Sequence, residues 1–207
     1  MTGQERREQL LHVGRSAFAE KGFDGTSIEE IAQRAKITKP VVYEHFGGKE
    51  GLYAVVVDRE VKALIDRISE ALDAEHPRLM LEQAALAFLS YIQERPEGFR
   101  VLVRDSPVTG ASGSLASVIG DIASQVEYIL ESQFTERRYD ARLAPLYSRA
   151  LVGMVAQVGG WWNDVGKPPK EAVAAHLVNL AWNGLKDLKV DPGIAAVEPR
   201  KAPRAKA

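Results

Sequence analysis

The chain has 207 residues with a hydrophobic content of 45%, enough for one large domain or for a small domain joined to a medium one. Its 27 basic and 28 acidic residues give a formal net charge of -1. This balance argues against a protein that covers nucleic acid by bulk charge, but it leaves room for a local basic patch. Because the sequence contains no cysteine, disulfides, thiol catalysis and zinc fingers are excluded.

The amino-terminal stretch MTGQERREQLL is polar and charged, without the apolar segment that a secretory signal requires. No run of about 18 apolar residues follows it, so no membrane-spanning helix is expected. We therefore expect a cytoplasmic protein that does not associate with a membrane.

Helical periodicity dominates the part of the chain before residue 50. Apolar residues at helical spacing predict three short helices, at 4–21, 27–35 and 40–46. Gly22 ends the first helix, Thr26 or Ser27 caps the second, and the pair Gly47 and Gly48 ends the third.

Longer helices are predicted from Lys49 onwards. The segment 53–58 is rich in β-branched residues, but the helical pattern of Leu52, Val56 and Leu64 continues through it, so we interpret it as helix. Helical segments are predicted at 49–72, 79–95, 97–105, 114–138, 141–166 and 169–188, with a loop of small residues at 106–114. The sequence thus predicts an all-α protein with domains at 1–50 and 51–189 and a disordered basic tail at 190–207.

The second and third short helices, joined by a tight turn, have the helix-turn-helix arrangement, in which the second helix of the pair enters the major groove of DNA. Val42 and Phe46 are four residues apart and face the core, which leaves Lys39 and Tyr43 outward. The first turn of such a helix meets the base edges, where a lysine can donate to guanine O6 and N7 and a proline or valine can touch a thymine methyl group. The spacing alone also fits a plain helical hairpin.

Phosphate contacts are expected from the flanks of this third helix. Tyr43 and His45 are donors on its outer side, and Lys49 begins the next helix, where free backbone N–H groups favour a phosphate. Residues 34–49 carry four basic side chains against one glutamate, so positive charge is concentrated on one segment of a nearly neutral chain.

The stretch AFAEKGFDGTSIEEIAQRAKITKPVVYEHFGGKEGLY closely resembles the DNA-binding domain of TetR-family transcriptional regulators. The matching elements are FAEKGF, TS, IA, A-x-I, Y-x-HF and KE-x-L, which agree in order and distance over about residues 5–53. The rest of the chain is similar only in length and helical character, as is typical of that family's variable ligand-binding domain.

The resemblance implies a role for each matching position. Backbone phosphates would be contacted by Ser27, Thr38, Tyr43, His45 and Lys49, and bases by Lys39, Pro40 and Val41. The chain departs from the family pattern at Lys36, where a turn glycine is common, and at Glu29, where a base-reading arginine sometimes stands. We therefore expect the arginine contact to be absent.

Catalytic and metal-binding patterns do not emerge from the sequence. His12, His76 and His176 are isolated from one another and from carboxylates at ligand spacing, so neither a metal nor another cofactor is expected. Nucleophile-elbow, P-loop and dinucleotide-binding glycine patterns do not occur. We therefore expect the protein not to be an enzyme.

The last two long helices each carry apolar residues on two sides, and a helix of this kind must be covered on both sides. Trp161 and Trp162 are adjacent and point about 100° apart on a helix. We predict that a second copy of the chain supplies one cover, in a homodimeric four-helix interface that includes Leu151, Val155, Val158, Trp162, Val178, Trp182 and Leu185. The alternative is that these are central core helices.

A cavity for a small molecule is expected between the helices of the second domain. The predicted lining is mainly apolar and aromatic, formed by Phe88, Tyr91, Phe99, Leu102, Tyr128, Met154, Gln157 and Trp161. Such a lining favours a hydrophobic effector, such as a lipid-like acid, a hydrophobic drug or an aromatic metabolite. The alternative is that these side chains form a filled core.

Together these observations predict a homodimeric transcriptional regulator that binds a palindromic operator in double-stranded DNA. The resemblance implies that it is a repressor, released when a hydrophobic small molecule enters the second domain. The main alternative is a small all-α enzyme or ligand carrier whose first helices form only a helical hairpin. A third reading is an activator or a nucleoid-type DNA binder without an effector.

Overall fold

The computed structural model describes residues 2–74, 76–104 and 115–189, together with Pro192. These residues form α-helices and one 3-10 turn at Ala141–Leu143, without β-strands, which confirms the all-α prediction. The helices are α1 Gly3–Lys21, α2 Ile28–Arg34, α3 Lys39–Phe46, α4 Lys49–Ala71, α5 Pro77–Glu94, α6 Pro96–Val103, α7 Leu115–Glu136, α8 Ala144–Val165 and α9 Lys170–Lys186. The predicted loop at 106–114 and, apart from Pro192, the predicted tail at 190–207 lie outside the described residues.

Side-chain caps define where the first two helices begin. The Thr2 hydroxyl accepts a hydrogen bond from the Glu5 amide at 3.2 Å while the Glu5 carboxylate accepts one from the Thr2 amide at 2.6 Å, a capping box that starts α1. The Ser27 hydroxyl accepts from the Glu30 amide at 3.2 Å and starts α2. Thr26, the other predicted cap, is buried and donates to backbone carbonyl oxygens at the end of α1.

The turn between α2 and α3 depends on the backbone of Lys36, whose φ is +55°. This left-handed conformation is costly for residues with a Cβ and is readily adopted by glycine. The observation explains why the resemblance leads one to expect glycine at this position. Here the turn is closed by backbone hydrogen bonds, including Ile37 N–H to the Ala32 carbonyl at 2.9 Å.

The first three helices and the start of α4 share one apolar core, which we call the reading head (residues 3–52). Its central side chains are at most 1% exposed and are Leu10, Phe18, Ile31, Val42 and Leu52. Gly14 lets α1 approach α4 closely, because an added Cβ would lie only 3.0 Å from Cδ2 of Leu52. Helix α3 packs on α2 and α4 of this core.

Helix α4 continues from the reading head into the second half, where it contacts α5, α6 and α7. Helix α5 is central there and also contacts α6, α8 and α9, while α7 packs along α8. Gly159 of α8 permits the close approach to α5, because an added Cβ would lie 2.4 Å from a ring carbon of Phe88. Helix α6 packs on both α1 and α4, so it bridges the two halves of the molecule.

Candidate DNA-reading face and effector cavity

The first turn of α3 projects from the reading head. Thr38 is the N-cap residue and its side chain makes no capping hydrogen bond, while Lys39 and Pro40 are exposed and Val41 is half-buried. Val42, on the opposite side of α3, is fully buried and packs into the core of the reading head. The four residues predicted to meet the bases or the adjacent phosphate thus lie together on an accessible turn.

The residues predicted to contact phosphates differ in how accessible they are. Tyr43 is 54% exposed and Ser27 is exposed, whereas His45 is half-buried, with its ring 6.2 Å from that of Phe46. The Lys49 ammonium donates to the Phe23 carbonyl oxygen at 3.0 Å and lies 4.1 Å from the centre of the Phe23 ring. Because an ammonium has three donors, Lys49 can keep this contact and still offer a hydrogen bond to a phosphate.

Carboxylates compensate much of the positive charge predicted around α3. The Lys39 ammonium forms an ion pair with Glu29 of α2, and this hydrogen bond lowers the pKa of Glu29. Arg34 donates to Glu20 at 2.7 Å and also contacts Glu30. Two of the four basic side chains of this segment, Arg34 and Lys39, are therefore in ion pairs in the free protein, which was not expected from the local excess of basic residues.

An apolar cavity lies inside the second half of the molecule. With the part that opens to solvent its empty space is about 1030 Å³, of which about 120 Å³ can take the centre of a water-sized molecule. Its described lining comes from five helices: Ile68 of α4 with Leu72 after it; Pro77, Met80, Leu81, Ala84, Ala85 and Phe88 of α5; Ile119, Ile122, Val126, Ile129, Leu130 and Gln133 of α7; Leu151, Val152, Met154, Val155 and Ala156 of α8; Leu177, Val178, Ala181, Trp182 and Leu185 of α9. In this lining no side chain is ionisable and Gln133 carries the only amide.

The cavity includes only two of the residues predicted to line it, Phe88 and Met154. The others fall into two groups that face elsewhere. Tyr91, Phe99 and Leu102 are at most 2% exposed and lie in the core away from the cavity, whereas Tyr128, Gln157 and Trp161 are on the outer surface. The structure thus places these six side chains outside the cavity lining, which helical spacing could not indicate because it does not reveal which neighbour a stripe faces.

The residues predicted for the dimer interface are also placed differently. Five of them line the cavity, namely Leu151, Val155, Val178, Trp182 and Leu185. Trp162 is 5% exposed and its Nε1–H donates to the Pro168 carbonyl oxygen at 2.7 Å, while Val158 is half-buried against the core. In the single chain five of these side chains therefore face the cavity, and the other two pack in or against the core.

The outer surface of α8 and α9 is formed by other residues. Leu146, Trp161 and Val165 of α8 are between 51% and 59% exposed, and Leu180 of α9 is 66% exposed. Between them on α8, Gly153 is exposed and an added Cβ there would meet nothing within 4 Å. Of the large apolar side chains on α8 and α9, these four (Leu146, Trp161, Val165 and Leu180) are exposed.

Two family models match the chain. The model for bacterial regulatory proteins of the tetR family matches residues 10–56, and the model for the tetracyclin repressor-like C-terminal domain matches residues 77–184, which is more than half of the chain. The chain belongs to the TetR family. It is a DNA-binding transcriptional regulator of that family, whose members bind DNA and act as homodimers.

Individual TetR-family relatives match most of the chain or a smaller part of it. The HTH-type transcriptional activator FasR of Mycolicibacterium smegmatis is 29% identical over 184 residues, 87% of this chain and 83% of FasR. The HTH-type transcriptional repressor AcnR of Corynebacterium glutamicum is 28% identical over 76 residues, 37% of this chain and 40% of AcnR. A solved structure of a TetR-like regulator from Rhodococcus sp. RHA1 is 29% identical, covers 88% of this chain and 97% of its own, and superposes with a TM-score of 0.73.

Between the reading head and the cavity of this TetR-family chain lies a cluster of charged groups around Glu60 of α4. The buried Glu60 carboxylate accepts from the Tyr91 hydroxyl at 3.0 Å and from Nε and Nη2 of Arg95 at 2.9 and 2.8 Å. Nη1 of Arg15, from α1, lies 3.5 Å from the same carboxylate. The cluster thus joins α1 of the reading head to α4 and α5 of the second half.

This Glu60 cluster was not recognised from the sequence, although Glu60 lies on the apolar stripe of α4 and an acidic residue in such a stripe is a signal for a buried partner. Gly98 of α6 leaves space for the carboxylate, because a Cβ added at this position would lie 2.1 Å from Oε2 of Glu60. Burial raises the pKa of Glu60, but the hydrogen bonds and charge of Arg95, with Tyr91 and Arg15, outweigh burial and keep the pKa below its ordinary value.

The described part of the chain has no helix that is long and apolar enough to cross a membrane. A search of the same residues finds no group of three or more histidine, aspartate or glutamate side chains that could hold a metal ion.

Proposed function

We propose that the protein is a homodimeric repressor that binds a palindromic operator and is released from it by an apolar small molecule. Each subunit would read one half-site with residues 38–45, as the accessible first turn of α3 suggests. The observation that carries the ligand proposal is the apolar cavity of the second half, which is bordered by five helices and holds the side chain of Phe88.

A short series of contacts connects this cavity to the reading head. Phe88 of α5 lines the cavity, and its ring centre is 6.1 Å from that of Phe99 of α6, which packs on α1. Farther along α5, Tyr91 donates to Glu60, the carboxylate that also faces Arg15 of α1. A ligand that binds better when Phe88 is displaced would therefore favour a different position of α5 and α6 against the reading head.

Such a displacement would act on DNA affinity through geometry. Both reading heads of a dimer must reach successive major grooves, about 34–36 Å apart, to engage the two half-sites together. A ligand that changes this distance leaves each head competent but removes simultaneous binding, so the affinity for the palindrome falls steeply.

The cavity lining suggests the class of ligand. Aliphatic and aromatic side chains surround the space, and the Gln133 amide is its main hydrogen-bonding group. A charged group would lose its hydration without gaining a partner inside, so an acid would have to keep its head group at the opening. We therefore expect a lipid-like molecule, a hydrophobic drug or an aromatic metabolite, and we do not expect a sugar or a metal ion.

The direction of regulation is the part of the proposal that a reporter assay decides. The relatives include both a named activator, FasR, and a named repressor, AcnR. We propose repression, in which the ligand lowers operator affinity and raises expression of a reporter placed behind the operator. If expression of the reporter instead requires the protein, the protein is an activator. The ligand and DNA-binding parts of the proposal would still stand.

The partner copy in this proposal covers the outer face of α8 and α9 described above, in place of the residues that line the cavity. Leu146 and Trp161 of α8 and Leu180 of α9 are apolar, exposed and on helices that are otherwise well packed. Gly153 would allow a second backbone to approach closely. This face combines the two properties that a dimer between identical helices requires, namely apolar area and room.

The decisive experiment measures ligand and operator on the same protein. DNA flanking the protein's own gene is tested in a gel shift, and the bound fragment is then titrated with a panel of apolar acids, drugs and aromatic compounds. We expect at least one compound to bind and to release the fragment over the same concentration range, since one linked equilibrium governs both. If no apolar compound does so, or if only polar compounds do, the ligand part of the proposal is wrong.

A pair of variants makes this test specific to the cavity. Ala156→Leu adds volume to the lining of α8 and should abolish the response to ligand while leaving operator binding intact. Ala116→Leu makes the same change on the exposed side of α7, outside the lining, and should keep the response. A chain that binds apolar ligands but no DNA would instead support the ligand-carrier alternative.

A further inference from the structure

An acidic side chain on the DNA-reading face has no role in the function proposed above. Glu29 stands in the first turn of α2, and its carboxylate forms an ion pair with Lys39, the first residue of α3. The side chains of Glu29 and Lys39 are 61% and 51% exposed. Donor and acceptor are thus presented side by side on the surface that meets the major groove.

Stability of the protein does not explain this ion pair. Pairs between exposed charges contribute little to folding, because water and salt screen them. A carboxylate at this place also opposes DNA binding through the backbone, since it repels phosphates and neutralises a lysine that could contact them. The backbone N–H groups at the start of α2 favour a carboxylate at this position. Its ion pair with Lys39 in addition places it beside the residue proposed to read a base.

The chemistry of the major groove indicates what such a pair can read. Guanine presents the acceptors N7 and O6, cytosine presents the N4 amino donor, and in one G·C pair these groups lie along the same edge. A lysine next to a carboxylate is the complement of that edge, since Lys39 can donate to guanine while Glu29 accepts from cytosine. An A·T pair also presents a donor, adenine N6, but that donor lies between the acceptors N7 and O4, whereas in a G·C pair the cytosine amino group lies at the end of two adjacent acceptors.

We propose that Glu29 is a specificity-determining residue, which together with Lys39 reads a guanine and a cytosine of the same or neighbouring base pairs. Glu29 weakens binding to DNA that lacks this cytosine, because the carboxylate is then desolvated against acceptors or phosphates. At the correct site, the cytosine amino group replaces Lys39 as its donor and frees the lysine for guanine. This inference rests on the proposed DNA binding by α3.

The test begins with the full-length parent protein and a library of random duplexes, from which the preferred operator is selected and sequenced. Competition binding then compares the selected operator with versions that carry each alternative base. The parent should prefer one cytosine by about 5- to 150-fold, the range expected for one good base contact. Glu29→Ala should lose that preference, bind unrelated DNA more tightly, and show a salt dependence steeper by about one unit.

Two further variants separate base reading from a general effect of charge. Glu29→Gln should shift the preference from cytosine to adenine at the same position, because a carboxamide pairs with adenine N6 and N7. Glu50→Gln removes a carboxylate at an exposed position in the first turn of α4 and should leave the base preference of the parent unchanged. Thermal unfolding of each variant establishes that the fold is retained.

The outcomes distinguish the inference from the function on which it rests. If the parent selects an operator but Glu29→Ala and Glu29→Gln keep its base preference at every position, Glu29 only holds Lys39 in place and the inference is overturned. If the parent selects no sequence and binds no duplex, the proposed DNA binding itself fails. A cytosine-to-adenine shift with Glu29→Gln is the result that a merely structural ion pair cannot produce.

Discussion

At the scale of single residues, Glu60 is the side chain whose loss should cost most. Its side chain is 3% exposed and it accepts hydrogen bonds from Tyr91 and Arg95, so Glu60→Ala would leave these two donors without their acceptor, while Arg15 would keep its ion pair with Glu97. Removing one partner of a buried ion pair typically costs several kcal/mol, and here we expect about 3 kcal/mol because both arginines are partly exposed. Urea denaturation measures the change. Glu8→Ala, which removes the exposed partner of Arg59, should change stability little.

The same residue makes a prediction about pH. The folded state lowers the pKa of Glu60 below its ordinary value of 4.5, so its contribution to stability is present above that value and is lost as the pH falls through the folded pKa. The unfolding free energy of the parent should therefore exceed that of Glu60→Gln at neutral pH, and the difference should shrink below about pH 4.5. A difference that grew on acidification would mean that the buried carboxyl is already protonated at neutral pH.

Lys36 offers a test in which a substitution stabilises the protein. Its φ of +55° is unfavourable for lysine, so Lys36→Gly should raise the free energy of unfolding by up to about 1 kcal/mol. The same substitution at Lys62, in the middle of α4, should lower it by about 1 kcal/mol because glycine destabilises a helix interior. Thermal unfolding of both variants provides the measurement. If the two changes had the same sign, the conformation of the turn would not be the cause.

At the scale of helices, α5 is the element expected to transmit the ligand signal. It carries Phe88 toward the cavity and, about one turn later, Tyr91 toward Glu60. Tyr91→Phe removes only the hydroxyl that donates to Glu60 at 3.0 Å, so we expect the fold and ligand affinity to persist while the effect of ligand on operator affinity decreases. Calorimetric ligand titration and operator titration of the same variant separate the two quantities. An unchanged ratio of operator affinities with and without ligand would exclude this route.

The helices also show how far the sequence allows prediction. Caps and periodicity predicted most helix boundaries to within about two residues, because Ser27, Gly47 and Pro145 act through local backbone chemistry. The family motif likewise located the exposed turn at Thr38 and Lys39. Both depend on neighbours in the sequence, so the sequence is sufficient for them.

The cavity and the outer face could not be assigned in this way. The spacing of Trp161 and Trp162 determines the angle between the two side chains. It does not determine how α8 is rotated about its own axis relative to the neighbouring helices. That rotation depends on the contact of Gly159 with Phe88, which brings residues 71 positions apart together and turns Trp161 outward. Sequence reasoning therefore recognised two apolar stripes on α8, but it assigned Trp161 to the cavity and Leu151 and Val155 to the dimer interface, whereas Trp161 is exposed and the other two line the cavity.

At the scale of the whole molecule, assembly should depend on the outer residues and not on those of the cavity. Trp161→Glu places a charge on the exposed face of α8, so we expect it to convert a dimer to monomers that retain their fold and apolar-ligand affinity. Val103→Glu, equally exposed but on α6, should leave the dimer intact. Sedimentation at micromolar concentration measures both. A dimeric Trp161→Glu protein, or a monomeric parent, would contradict the assignment.

The three tryptophans of the chain occupy three different environments, and this distribution has a practical consequence. Trp161 is 51% exposed on the outer face, Trp162 is 5% exposed in the core, and Trp182 lines the cavity. Three variants, each of which keeps one tryptophan and has phenylalanine in place of the other two, would each give fluorescence from a single environment. Emission from the first is expected to follow subunit association, from the second unfolding, and from the third the entry of a ligand, without any added dye.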